Sequence, residues 1–95
     1  MENQQAYKEK LKAKIDEWDA KIREMRAKAD QAQAESKIEY QQQLDQMESK
    51  RDELRGQLDQ IKQASGEAWK DIAAGADRAL DELQESFEKA KAKFG

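Results

Sequence analysis

Apolar side chains recur along this chain at alternating steps of three and four residues, and that spacing constrains the fold more than any other feature. Leu11, Ile15, Trp18, Ile22, Met25, Ala29 and Ala32 form one stripe. Leu44, Met47, Arg51, Leu54, Leu58, Ile61, Ser65 and Ala68 form a second. Trp69, Ala73, Ala76, Leu80, Leu83, Phe87, Ala90 and Phe94 form a third, which Ile72 widens. Such steps keep one face of an α-helix apolar and make a seam for a neighbouring helix.

Composition supports the same reading. There is no Pro, no Val and no Thr, and only five Ile, so a β-sheet has little to build from. Charged residues are 41% of the chain, and much of the hydrophobic 37% is alanine. A thick core is therefore out of reach, whereas a thin seam between helices is not. Glu17 and Lys21, and Glu24 and Lys28, stand four apart in the favourable order, each pair contributing roughly 0.2–0.5 kcal/mol on an exposed helix. Gly56 and Gly75 interrupt the helical pattern at about 1 kcal/mol each relative to Ala.

One break is plain. Gln63-Ala64-Ser65-Gly66 precedes Glu67, so a turn is expected near residues 64–66. Gly66 would end the preceding helix as its C′ residue, or Ser65 would cap the next one. A second break is possible near 33–36, where Ser36 and Glu39 have capping-box spacing. No Gly or Pro supports it, and the first two stripes join through Ala32, Ser36, Tyr40 and Leu44 in steps of four, a stutter.

The expected fold is all-α, a single helical unit over residues 1–95. A long helix over about 4–63, roughly 90 Å at 1.5 Å per residue, turns at about 64–66 into a shorter helix over about 67–94. The two form an antiparallel coiled-coil hairpin; a three-helix bundle is the alternative. In the hairpin, residues 67–94 pack along 36–63 and leave the stripe on 7–32 uncovered. Trp18, Ile22 and Met25 would then need a cover, most simply a second copy in an antiparallel dimer assembled as a helical bundle.

Catalysis is not expected. With no His and no Cys, the commonest general bases and soft metal ligands are missing, and the four serines, at 36, 49, 65 and 86, lie in no nucleophile motif. No phosphate-binding loop is present, no Glu-x-x-His element suggests a di-metal site, and no cofactor is implied. The net charge of −3 contains no strongly basic block, which argues against nucleic acid. No apolar run would span a membrane or serve as a signal peptide, so a cytoplasmic location is expected.

The residues expected to carry function are therefore seam residues: Leu11, Ile15, Trp18, Ile22, Met25, Leu44, Met47, Leu54, Leu58, Ile61, Trp69, Ile72, Leu80, Leu83, Phe87 and Phe94. Arg51 at a seam position would lay its stem along the stripe and reach a neighbouring acid, or set helix register. The apolar face of the last segment could instead lie on a lipid or granule surface, in the manner of a phasin or exchangeable apolipoprotein, though its local charge of −2 opposes anionic lipid. A specific helical protein partner is a further option.

The run YKEKLKAKIDEW at 7–18, AKAD at 27–30, KIEY at 37–40 and SGEAWKDIAAGADRALDELQESFEKAKAKF at 65–94 resemble a family of small bacterial coiled-coil proteins associated with stress response. The likeness extends over nearly the whole chain and is most specific at the Ser-Gly-Glu-Ala-Trp turn. It implies a cytoplasmic protein linked to environmental stress and brings no catalytic or cofactor residue. Late-embryogenesis-abundant proteins share the composition, but the regular stripes and two tryptophans here point to folding in water.

Overall fold

The computed structural model describes residues 3–94, with side chains through residue 93. It consists of three α-helices: α1 (Gln4–Asp30), α2 (Ala34–Gln63) and α3 (Ala68–Phe94). They run up, down and up in a bundle of 51 × 20 × 17 Å. No strand occurs among the described residues.

The continuous helix expected over 4–63 is two helices. It ends at Asp30, and the chain reverses through residues 31–33. Burial accounts for the difference. Folding α1 back buries Tyr7, Leu11, Ile15, Trp18, Ile22, Met25 and Ala29, all at 5% exposure or less. Each large side chain so buried contributes about 1.5–3 kcal/mol, whereas the helix propensities of the residues at the break differ by only tenths. The stripe that the hairpin left bare is thus covered within the chain, by α2 and α3.

The two connections are built differently. Between α2 and α3, Ala64 is extended (φ −73°, ψ 140°) and Gly66 takes φ +64°, the left-handed region that glycine enters without a Cβ penalty. Gly66 therefore lies in a turn leading into α3 and is not the C′ residue of α2. Between α1 and α2, Gln31 (φ −94°, ψ −5°) is nearly helical and Gln33 (φ −67°, ψ 155°) is extended, with no side-chain capping bond from Gln33. The proposed capping box is absent as well: Ser36 is already inside α2. The start of α1 is capped, Asn3 Oδ1 accepting from the Ala6 N–H at 2.7 Å.

The core is one continuous cluster along all three helices. Leu44, Met47, Leu54 and Ile61 are wholly excluded from solvent on α2, the helix that packs against both of the others. The side of α3 that enters the core is rich in alanine, with Ala73, Ala76, Ala79 and Ala90 buried. Alanine at these places lets α3 approach α2 closely.

Candidate interaction site

The seam residues named from the stripes converge. Leu11, Ile15, Trp18, Ile22, Met25, Leu44, Met47, Leu54, Leu58, Ile61, Trp69 and Leu83 are buried in the shared core, and Ile72, Leu80 and Phe87 pack partly buried against it. The Phe94 side chain lies outside the described residues. Tyr7, Tyr40 and Ala79 are buried too. Tyr7 stands four before Leu11 and Tyr40 four before Leu44, as helical spacing requires, and their polar hydroxyls kept them off the list of seam residues. Ser65 and Ala68, placed on the second stripe, are exposed because α2 has already ended.

Polar rungs bridge α1 and α2. Gln4 Nε2 donates to the carbonyls of Ile61 (2.7 Å), which also accepts from the Ala64 N–H, and of Ala64 (3.1 Å) at the end of α2. At mid-height Arg51 donates through Nη1 to Asp19 Oδ1 at 2.7 Å, while Arg23 and Arg55 reach Asp19 Oδ2 at 3.0 and 3.5 Å. Arg51 also holds Asp52 of its own helix. The head of Arg51 thus reaches a neighbouring acid, as one reading of this residue expected, and ties α2 to α1. Nearer the break, Arg26 bonds Glu48 at 2.8 Å and Asp45 at 3.4 Å. The hydrogen bond to Glu48 is the leading cause that raises the Arg26 pKa. Antiparallel rungs to α3 are Lys50 with Glu82 and Lys93 with Glu39.

The helices α1 and α3 run parallel, and their backbones approach less closely than either approaches α2. Large side chains fill the gap. Trp18 meets Phe87 edge-on, ring centres 5.4 Å apart, and Tyr7 meets Trp69 at 5.9 Å. The Tyr7 hydroxyl lies 2.8 Å from Asp77 Oδ1 and 3.0 Å from the Ala73 carbonyl, two acceptors sharing one proton. Lys21 Nζ sits 4.5 Å over the Trp18 ring and 3.4 Å from Glu17.

Beside Phe87 this gap opens into a groove of about 230 Å³. Met25, Tyr40 and Phe87 form its floor, and Lys21, Lys28, Lys91 and Glu24 its rim. Burial alone raises the Tyr40 pKa. No group of three or more metal-ligating side chains occurs among the described residues, and no described helix is long and apolar enough to cross a membrane.

Comparison of the chain with protein-family models, curated proteins and solved structures yields no match.

Proposed function

We propose that this chain is a non-enzymatic interaction protein of the cytoplasm that associates with helices of its own three-four pattern, in the stress setting its family resemblance implies. The observation behind this reading is where the apolar surface goes. The large apolar side chains of the core all serve helix–helix contacts, and among the described residues Ile38 alone of the large hydrophobics is strongly exposed, at 61%. A surface of this kind recognises helices, and it becomes available when one helix of the bundle gives way to another. Its first partner is a second copy, which carries the matching seam by construction.

Light scattering over a concentration series tests the reading, with samples held warm below the melting temperature so that helices can exchange. A mass rising from one chain toward two supports it. A single-chain mass at every concentration overturns it.

A second reading rests on the groove. Lys28 and Lys91 have no ion-pair partner among the described residues, and they flank an apolar floor. An anionic lipid surface would supply both complements. Flotation with vesicles containing phosphatidylglycerol, lost in the Lys28→Glu/Lys91→Glu double variant, would support it. The absence of flotation by the native chain would discard it.

A further inference from the structure

We infer that the break at residues 31–33 is a hinge, and that straightening it lets two copies of this chain exchange α1 and form a domain-swapped dimer built on two helices running unbroken from α1 through α2. The inference rests on the self-association proposed above and supplies its geometry.

Four observations carry it. First, the break is conformationally slight. Gln31 is close to helical already, Gln33 differs from helix mainly in ψ, and no described residue other than Gly66 has positive φ. The turn between α2 and α3, by contrast, depends on that left-handed glycine.

Second, no side-chain cap and no special backbone geometry at residues 31–33 hold the break closed. The first residues of α2 lack a side-chain cap, and Gln31 and Ala32 donate to the carbonyls of Lys28 and Ala29 in tightened three-residue steps. The stretch Ala27–Lys37 contains no Gly, no Pro and no β-branched residue. Straightening would give its backbone groups their ordinary helical partners. Between Met25 and Tyr40 the only buried apolar side chain is Ala29.

Third, the two stripes share a face across the break. At about 100° per residue, Met25 and Met47 would stand about 40° apart around a straight helix. Met25, Ala29, Ala32, Ser36, Tyr40, Leu44 and Met47 then make one seam, with three successive steps of four at which the coil locally unwinds. A bundle made only of separate helices places no demand on this phase relation.

Fourth, the rungs locate a two-fold axis. Asp19 with Arg51, and Arg26 with Asp45 and Glu48, pair positions symmetric about residues 35–37. When the same rungs form between copies, two straight helices run antiparallel and cross at Ser36, which is exposed in the closed bundle. Every contact of α1 is kept, made with the partner's α2 and α3. The balance between forms is therefore set by the break and by the entropy of association.

The chain has no cysteine, so Lys12→Cys/Asp59→Cys can be spin-labelled at two exposed sites and diluted into unlabelled protein. In the closed form these positions face each other on adjacent helices, roughly 20 Å apart including the labels. In the swapped dimer they lie 47 residues along one helix, about 70 Å. Mass is measured on the same samples. Ser36→Leu, which would be buried only at the crossing, is expected to favour the dimer.

Ala34→Pro is expected to abolish the dimer and leave the closed bundle intact. The first helical position suits proline, and the extended Gln33 before it already has the conformation proline requires. Inside a straight helix proline lowers the population roughly a hundredfold per chain, about 10⁴-fold in the dimerisation constant. Circular dichroism and melting of Ala34→Pro confirm that its bundle is folded.

A dimer with the long distance, lost in Ala34→Pro, is the expected result. A dimer whose chains keep the short distance overturns the hinge and leaves self-association standing. Single-chain mass for both the native chain and Ser36→Leu overturns both.

Discussion

Replacing Asp19 by alanine tests whether the charged rung at mid-height holds α1 to α2. Asp19 and Arg51 side chains are 19% and 15% exposed, so the pair is mostly shielded from solvent. Its principal hydrogen bond, 2.7 Å from Arg51 Nη1 to Oδ1, has an ion at each end. Bonds to charged groups contribute about 1.5–3 kcal/mol, against 0–1 kcal/mol for exposed ion pairs. Arg23 and Arg55 add less, because their side chains are 79% and 48% exposed. Arg51 keeps Asp52 as a partner after the change, which limits its desolvation loss. The expected cost is thus about 1.5–2.5 kcal/mol, a fall in melting temperature on the order of 10 °C for a chain of this size. Urea unfolding followed by circular dichroism measures it. Arg51→Leu should cost about 1–3 kcal/mol, because it leaves the shielded Asp19 carboxylate to the exposed Arg23 and Arg55, a loss that the apolar stripe completed by leucine offsets in part. The double variant closes a thermodynamic cycle with a coupling of about 1–2 kcal/mol. Should Asp19→Ala cost no more than about 0.5 kcal/mol, with a coupling indistinguishable from zero, the rung is a solvated surface pair and the argument that it holds α1 to α2 collapses.

Other consequences are simpler to measure. Leu44→Ala should destabilise by about 2–5 kcal/mol in chemical denaturation, and Ile38→Ala by no more than about 0.5 kcal/mol, because the first is wholly buried and the second exposed. Gly66→Ala should lower stability by about 1–2 kcal/mol through its positive φ, whereas Gly56→Ala, whose Cβ would meet open space in mid-helix, should raise it by about 1 kcal/mol, both read from thermal melts. Stability should fall as pH rises above the ordinary tyrosine value of 10.0. Burial raises the Tyr40 pKa and the Glu82 hydrogen bond that of Lys50, so the folded state retains protons that the unfolded chain releases. Tyr40→Phe should flatten the alkaline limb in a pH series of urea melts. Gln57→Met should be neutral or stabilising by up to about 1 kcal/mol, because Gln57 Oε1 is buried without a hydrogen-bond partner.

Helical class and most of the core were legible from spacing alone, since a three-four stripe has one folded meaning. The turn near 64–66 was legible because Gly66 marks it, although its role there differs from a helix-ending residue. The break at 31–33 was not. Its residues are good helix formers, and the force that bends the chain is the burial of Trp18, Ile22 and their neighbours on helices remote in sequence. No local window contains that term. The groove was hidden for a similar reason, as Lys28 and Lys91 are 63 residues apart and meet only because α1 and α3 run parallel. Tyr7 was passed over because a hydroxyl masks an otherwise apolar ring, whereas Tyr40 was placed on the joining stripe but not among the seam residues.

The two tryptophans occupy different heights of the molecule. Trp69 touches Tyr7 beside the glycine turn, and Trp18 lies near the waist, with Phe87 against it and a lysine over its face. Each indole spans the α1–α3 gap, so neither can keep its emission when those two helices part. Single-tryptophan versions, Trp18→Phe and Trp69→Phe, would therefore separate fraying at one end from separation through the middle. Nature has, in effect, placed two optical gauges along the one crevice where this bundle is least tightly closed.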